Sequence, residues 1–348
     1  MPIPGQGVVP TGALYNELTA VNRRAFVPRL FVQIYFAAPS LFYLIGGALK
    51  AAGGLSQITV PVQGQSMVQG QYVGYSGSFN PPTPIPAIQD AQFPVAYWVV
   101  PVPLPFGEQI IQATDREISL LKARMNDVWS VTVQRMGTDI FTNNSASPLL
   151  PNSFIDGFDD GSNVPVYGGI NRNAAGNSFW KGQLLSAAAF ASGTGTVATA
   201  GFTRKSMANV LMKVADAAGG ETVTAGLLNP GDLATLNADF IGAEQIFTRP
   251  GNEYTIATAV RSGFPNLNVA GVPLYADHFC PQGTAIWFNA KYSSMYMSED
   301  AAFDFSGFYS LVPVGGLGQQ GVVVLGWQFI TAKPVANAIM TGIGAPAF

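Results

Sequence analysis

Apolar side chains recur at steps of three and four residues between Asp115 and about Thr142, and this is the most regular pattern in the chain. Just before it, Thr114 and Glu117 have the Thr-x-x-Glu spacing of a capping box, in which each side chain pairs with a backbone amide of the first turn. The pattern predicts one helix of roughly 40 Å, at about 1.5 Å per residue. So long a helix is typical of a structural core, and none of its residues suggests chemistry.

Two shorter helices are predicted in the second half of the chain. One spans Arg204 to Ala218, with Thr203 as its N-cap and a pair of glycines after its end. The other begins at Asn229-Pro230, an N-cap followed by a proline at the first helical position, and continues through Leu236.

Strand patterns lie on both sides of these helices. Ser56–Gln63 alternates apolar residues with polar residues or proline, which predicts a strand. Pro94–Phe106 is β-prone but interrupted by prolines, as in an edge or irregular strand. From Asn268 onward the pattern is mostly β. A β-rich arm, a long helix and a mixed lobe with late strands predict an α+β fold rather than the βαβ alternation of a doubly wound fold.

The run from Ala51 to Gln89 contains no Asp, Glu, Lys or Arg and is rich in Gly, Gln, Ser and Pro. It is too polar for a core and has too few charges for an ordinary solvated loop. The whole chain shares this character, because only 11% of its residues are charged, against about 25% in typical soluble domains. We therefore expect much of the surface to be covered by other copies or partners.

The few charges point to no dedicated nucleic-acid surface, since the net charge is −3 and the chain has no lysine or arginine cluster. Arg23, Arg24 and Arg29 form the only basic grouping near the N-terminus. They are candidates for contact with phosphate or an acidic partner, and a solvent-facing role is equally open. The single cysteine, Cys280, excludes an intrachain disulfide, and no signal peptide is visible.

Leu30–Leu49 is an uncharged stretch of twenty residues, long enough to be considered as a membrane span. Gln33, Pro39, Ser40 and a glycine pair interrupt it, which is unlike a transmembrane helix. We expect a buried arm or an interface segment, and no membrane partner.

No catalytic or metal-binding constellation is evident. His278 and Cys280 would lie on the same side of an extended segment, and a thiolate–imidazole pair is the core of a cysteine nucleophile. Such a site also needs an oxyanion hole and an orienting carboxylate or amide, and Pro281-Gln282-Gly283 predicts a turn between strands, so an ordinary hairpin shoulder is favoured and a Cys/His-dependent hydrolase is a remote alternative. Asp156, Asp159 and Asp160 lack the spacing of a calcium loop and are expected to form a solvated acidic turn. We expect no enzyme activity and no cofactor.

Four stretches, in this order, resemble the major capsid proteins of tailed double-stranded DNA bacteriophages, which have the Hong Kong ninety-seven type fold. They are VQRMGTDIFTNN, VYGGINRNAAGNSFWKGQ (166–183), VAGVPLYADHFCPQGTAIWFN (269–289) and GWQFITAKPVANAIMTGI. The second stretch is similar to the tyrosine-glycine-glycine, arginine and tryptophan pattern that follows the long helix in many of these proteins.

The resemblance implies a division of the chain into the parts of a shell subunit. These are an N-terminal arm (1–54), an extended β-hairpin or E-loop (55–95), a peripheral domain with the spine helix at about 115–142 (96–203), an axial domain (204–325), and a C-terminal strand and tail returning to the peripheral domain (326–348). Such subunits assemble as pentamers and hexamers into an icosahedral virion shell around packaged DNA, in the host cytoplasm.

The resemblance also implies partners and contacts. We expect a portal protein, cement or decoration proteins, and, because the sequence starts directly with a short arm, a separate scaffolding protein or none. Some relatives join subunits through a lysine on the E-loop, but no lysine lies between Lys50 and Lys122, so we expect non-covalent contacts. An encapsulin-like compartment is the main alternative. Candidate inter-subunit or inner-surface contacts are Arg23, Arg24, Arg29, Tyr72, Tyr75 and Phe79.

Overall fold

A long helix and two β-sheets of different size organise the chain. The computed structural model describes residues 38, 40–41, 44, 49–51, 56–64, 72–73, 75, 77, 88–105, 114–186, 204–241, 266–311 and 318–343. The helices in these ranges are α1 (Thr114–Phe141), α2 (Phe154–Phe158), α3 (Arg204–Ala217) and α4 (Pro230–Ile241). Helix α1 lies where the periodicity predicts a long helix, and α4 runs five residues past its predicted end at Leu236.

The smaller sheet has four strands in the order β1–β12–β13–β4, where β1 is Leu49–Ala51, β4 is Ala96–Pro105, β12 is Ser293–Ser310 and β13 is Gly318–Thr331. Strand β13 pairs antiparallel with both of its neighbours, and β1 pairs parallel with β12. Buried residues of α1, including Trp129 and Met136, pack against one face of this sheet, where Leu325 and Trp327 are also buried.

The larger sheet has six strands in the order β7–β14–β11–β8–β10–β9. They are β7 (Gln183–Ser186), β8 (Ala225–Leu228), β9 (Asn266–Val269), β10 (Val272–Ala276), β11 (Thr284–Phe288) and β14 (Ala338–Thr341). Apolar residues of α3 and α4, such as Val210 and Leu233, form one core with Leu274 and Trp287 of the sheet.

Two short hairpins complete the described structure. Strands β2 (Gln57–Gln63) and β3 (Ile88–Pro94) pair antiparallel along their full length. Strands β5 (Val166–Tyr167) and β6 (Ile170–Asn171) form a two-residue ladder near them. The result is the mixed α+β architecture that the order of patterns predicts.

Sheet membership does not follow the predicted boundaries at 204 and 325. Strand β12 and the first part of β13 fall inside that range, yet they belong to the four-stranded sheet that ends in β4, and they contribute to the core around α1. The division into domains stays a prediction, and the strand pairing favours grouping β12 and β13 with α1.

Part of the uncharged segment 30–49 is packed in the interior. Ala38 and Leu41 are fully buried and Leu44 is 3% exposed, and all three belong to the core around α1. Among the helices in the described ranges, none has the length and apolar character needed to cross a membrane.

A cluster of phenylalanine rings joins the two sheets. Phe154 of α2 is fully buried, and its ring centroid lies 5.4 Å from that of Phe141 of α1 and 5.4 Å from that of Phe158. The same ring lies 5.7 Å from Phe288 of β11 and 5.0 Å from Phe329 of β13. Ring pairs at such distances add about 0.5–1.5 kcal/mol each to the effect of burial. Phe154 therefore lies where the long helix and both sheets meet.

Replacing Phe154 with alanine should lower the free energy of unfolding by about 3–5 kcal/mol, because a cavity would open between the sheets. Phe154→Leu, which keeps most of the apolar volume, should cost less. Urea denaturation followed by circular dichroism measures both. Leu149→Ala, at a position that is 81% exposed, is the control and should change stability little. Equal effects at the two positions would contradict the assigned role of Phe154.

Candidate functional site

The hairpin formed by β2 and β3 lies on the protein through one face only. Ile58, Val62, Ala91 and Phe93 are buried on that face, and they pack with residues of the β5–β6 region, a turn at 178–180 and β13. The residues that alternate with them on β2, from Gln57 to Gln63, are exposed and uncharged. The alternation that predicts a strand at 56–63 thus corresponds to one face that packs against the protein and one that is exposed.

Tyr167 and Trp180 are the two large aromatic residues under the hairpin, and both are buried. The Trp180 Nε1 donates to the Tyr167 carbonyl at 2.9 Å, and the two rings lie 5.7 Å apart. The Tyr167 hydroxyl accepts a hydrogen bond from the Thr331 amide at 3.0 Å, and burial raises the pKa of this hydroxyl. Phe93 of the hairpin rests 5.0 Å from the Tyr167 ring. The hairpin is therefore seated on a hydrogen-bonded aromatic pair.

Gly168 provides the closest approach between the hairpin and this pair. Its carbonyl accepts the Gln92 amide at 2.9 Å, so the outer edge of β3 is hydrogen-bonded here. Its φ is +59°, and a methyl group at this position would lie 2.7 Å from the Phe93 ring. Any side chain at 168 would be strained and would push the hairpin away.

Arg172 is fully buried and links the segments around Tyr167 and Trp180. Its Nε donates to the Trp180 carbonyl at 3.0 Å, Nη1 to the Val164 carbonyl at 3.2 Å and Nη2 to the Gly157 carbonyl at 2.7 Å. The guanidinium also lies 4.7 Å from the Tyr167 ring centroid. Burial lowers the pKa of Arg172, although arginine remains charged in proteins. We call Tyr167, Arg172 and Trp180 the platform.

Two aspartates shape the loop beside the platform, and the expectation of a solvated acidic turn is wrong for both of them. Asp159 accepts the amides of Gly161, Asn163 and Val164 at 2.8–3.1 Å. Burial acts to raise its pKa, but these hydrogen bonds outweigh burial and the pKa is lowered. Asp156 is 1% exposed and caps α2 through Ser153, and burial raises its pKa.

The carboxylates of this loop accept hydrogen bonds from backbone amides. Asp156 also accepts the amides of Asn144 and Ser145 at 3.1–3.3 Å. In the described part of the chain, no group of three or more His, Cys, Asp or Glu side chains is arranged to hold an ion. The loop therefore supports the platform.

A second candidate surface lies on the four-stranded sheet, on the side opposite α1. Tyr97 and Val99 of β4 are 51% and 50% exposed. Strand pairing places Val99 opposite Val324 and Pro101 opposite Val322. We call these five residues the outer sheet face. Antiparallel sheets with one buried face normally carry polar residues on the other, so an exposed apolar face is typical of an interaction surface.

Prolines limit how the edge of β4 can be used. In the described topology β4 is the last strand of its sheet, and Pro101, Pro103 and Pro105 recur at every second position. Proline has no backbone N–H to donate, so these positions cannot complete a ladder with an added strand. The Pro103 carbonyl already accepts Arg124 Nη1 at 2.6 Å. Contacts at β4 are expected to use its face and not its edge.

The predicted contact residues are only partly within the described ranges. Tyr72 and Tyr75 have relative exposures of 108% and 112%, so both side chains are fully exposed within the described part of the chain. Arg23, Arg24, Arg29 and Phe79 lie outside the described residues. The role of all six as contacts stays a prediction.

His278 and Cys280 do not form a nucleophile pair. They lie in a turn rather than an extended segment, with His278 exposed and Cys280 2% exposed. Burial raises the pKa of the Cys280 thiol well above its usual value, and Asp277 and Asp232 add to this effect. The sulfur lies 3.6 Å from the Thr284 carbonyl. A buried thiol that stays protonated is a core group, which contradicts the hydrolase alternative.

Sequence reasoning did not assign Arg172, Asp159 or Gln328 to the site. Gln328 Nε2 donates to the Pro94 carbonyl at 2.6 Å, where the hairpin ends, and its Oε1 accepts the Asn152 amide at 2.6 Å. The available signal for Arg172 was its place in the tyrosine-glycine-glycine, arginine and tryptophan pattern. Gln328 stands in an apolar strand, and an uncharged polar residue there was the only hint of its role.

The fold is that of phage capsid proteins. A structure of the cyanophage A-1(L) capsid asymmetric unit matches with a TM-score of 0.62 at 13% identity, over 88% of this chain and 93% of the other. The capsid of a native GTA particle matches with a TM-score of 0.52 at 11% identity, and a structure from Mycobacterium phage Bobi with 0.50 at 11%; each covers 86% of this chain and 89% of the other. No family model and no curated protein matches the sequence.

Replacing Arg172 with lysine should lower the free energy of unfolding by about 3 kcal/mol, because a single ammonium group cannot reach all three carbonyls around the guanidinium and buried acceptors would be left unpaired. Arg135→Lys is the control, since Arg135 is a partly exposed arginine on α1 paired with Asp139 at 2.9 Å. Its effect should be smaller, about 1 kcal/mol, because a lysine can still pair with the Asp139 carboxylate and loses mainly the stacking on Trp98. Urea denaturation compares the two, and a similar small loss for both would contradict the platform's dependence on Arg172.

Asp159→Asn should reduce stability at about pH 7 by roughly 1–3 kcal/mol, since the amide cannot accept the same set of N–H groups. The lowered pKa of Asp159 adds stability that is present above about pH 4 and is lost as the pH falls through the folded-state pKa. The gap between variant and parent should therefore narrow in acid. Unfolding measured at several pH values tests this, with Asp160→Asn as the neighbouring control. A gap that widens in acid would refute it.

Proposed function

We propose that this chain is the major capsid protein of a tailed double-stranded DNA bacteriophage. It acts as a non-enzymatic subunit that associates into pentamers and hexamers of an icosahedral shell around packaged DNA. The observation that carries the proposal is the fold similarity to a cyanophage capsid structure over 88% of this chain. The low content of charged residues and the two uncharged exposed surfaces support it, because both are expected of a subunit surrounded by copies of itself.

The hairpin supplies one half of the proposed contact. Its uncharged tract between 51 and 89 can be covered by another chain at little desolvation cost. Tyr72 and Tyr75 are fully exposed in the described part of the chain, and they would gain contact area by packing against a neighbouring subunit. A hairpin held rigidly at its base loses little conformational entropy when its far end docks.

The outer sheet face supplies a second proposed contact. Val99 and Val324 at its centre are apolar, with Asp304 of β12 beside Val324, and closure into a shell repeats each such contact many times. Even a weak contact of about 1.4 kcal/mol then changes the assembly equilibrium strongly, because each repeat of it multiplies the association constant about tenfold. Absence of lysine between Lys50 and Lys122 supports non-covalent association of the hairpins.

Further partners are part of the proposal. A portal protein at one vertex, a separate scaffolding protein during assembly in the host cytoplasm, and cement or decoration proteins on the virion would complete the particle. The packaged DNA would be held without sequence preference, since the net charge is −3 and no basic cluster is present in the sequence.

Negative-stain electron microscopy of the purified full chain tests the proposal, and closed polyhedral shells are expected. Val99→Asp should reduce shell yield at least tenfold, because it buries a charge in each repeated contact. Val99→Thr, with nearly the same shape and no charge, should still assemble, and circular dichroism checks that both variants fold. A folded chain that stays monomeric under all conditions would contradict the proposal. Particles from the native host that hold a cargo enzyme in place of DNA would favour the encapsulin-like alternative.

A further inference from the structure

The turn at 277–280, between β10 and β11, contacts two other parts of the protein, the segment at Ser40 and α1. Asp277 is fully buried, and its Oδ2 accepts hydrogen bonds from both the amide (3.1 Å) and the hydroxyl of Ser40. Its Oδ1 accepts the Phe279 amide at 2.9 Å. One carboxylate thus binds the segment near the N-terminus and also sets the shape of its own turn.

Ser40 belongs to a buried stretch of the N-terminal segment. Ser40, Ala38 and Leu41 are all fully buried. Ala38 and Leu41 belong to the core around α1, whereas Asp277 directly follows the last residue of β10 in the six-stranded sheet. The hydrogen bonds between Ser40 and Asp277 therefore link the N-terminal segment to the six-stranded sheet.

Phe279 makes the second contact, with α1 near its C-terminal end. A methyl group on Gly137 would lie 2.5 Å from two carbons of the Phe279 ring, so the ring occupies a notch that only glycine leaves open. Phe279 packs against the core around α1. Its position depends on the turn, because its own amide is held by Asp277.

We propose that the turn 277–280 is a coupling joint, through which docking of the N-terminal segment at Ser40 and seating of Phe279 in the Gly137 notch favour each other. Both depend on one carboxylate, since Oδ2 holds Ser40 and Oδ1 holds the backbone of Phe279. Release of the N-terminal segment leaves Asp277 with an unpaired buried oxygen and frees the turn to rotate Phe279 out of the notch. The attachment of α1 to the six-stranded sheet then loosens.

The role assigned to 277–280 is therefore mechanical coupling between two contacts, and it is neither catalysis nor simple burial. It does not rest on the proposed shell function, since it concerns contacts within one chain. In a subunit that must fit different surroundings, it would let displacement of the N-terminal segment change the position of the long helix.

Hydrogen exchange of the purified full chain, read at single-residue resolution by mass spectrometry, tests the coupling in both directions. In Ser40→Ala, the Phe279 amide should exchange at least about fivefold faster, and in Gly137→Ala the Ser40 amide should do so too, because coupling between two sites is reciprocal. The Leu233 amide, which donates to the Asn229 carbonyl at 3.0 Å in the same sheet's core, should not change and reports on global stability.

Phe279→Leu is a second variant that empties the notch without crowding α1, and it should accelerate exchange at Ser40 in the same way. Val131→Ala, an exposed position on α1, is the matched control and should leave both amides unchanged. If each variant accelerates exchange only at its own side of the turn, the two contacts are independent and the joint is refuted.

Discussion

The buried guanidinium of Arg172 is the interaction on which the arrangement of the hairpin depends. It donates to three backbone carbonyls that converge from separate segments, at Gly157, Val164 and Trp180. A planar fork with several fixed donors is the one side chain that can satisfy such a set. Asp159 turns the intervening loop so that the carbonyls point inward, and Tyr167 and Trp180 then lie together as a seat for Phe93. The energetic cost of burying the guanidinium charge is offset by its hydrogen bonds to three segments, which these bonds also hold in place.

The platform also affects the orientation of the outer sheet face, because the hairpin and strand β4 are consecutive in the chain. Strand β3 ends at Pro94 and β4 begins at Ala96, and Gln328 of β13 binds the Pro94 carbonyl at 2.6 Å. The direction in which the hairpin leaves the protein is therefore tied to the orientation of the outer sheet face. A rigid relation between two uncharged surfaces is what repeated contacts between copies of one chain require.

Local sequence patterns predicted many of the helices and strands. They could not predict which strands pair when the strands are distant in the sequence. The three- and four-residue steps around Trp129 and Met136 predict α1, and alternation predicts β2, because these signals come from neighbouring residues. Asp159 was expected to be solvated, because the sequence shows a carboxylate but not the backbone amides that fold back onto it. Pairing of His278 with Cys280 required an extended segment, whereas Asp277 holds this stretch in a turn through its own side chain. Pairing of β12 with the sheet on α1 joins distant segments and leaves no local signature.

The most direct test of the account is a cryo-electron microscopy reconstruction of assembled particles at side-chain resolution. The account predicts that the tract around Tyr72 and Tyr75 packs against a neighbouring subunit, that the outer sheet face at Val99 and Val324 is covered by another copy, and that Arg172 keeps its three carbonyl partners in every copy. Particles in which the hairpin contacts no neighbour and the outer sheet face is open to solvent would contradict it.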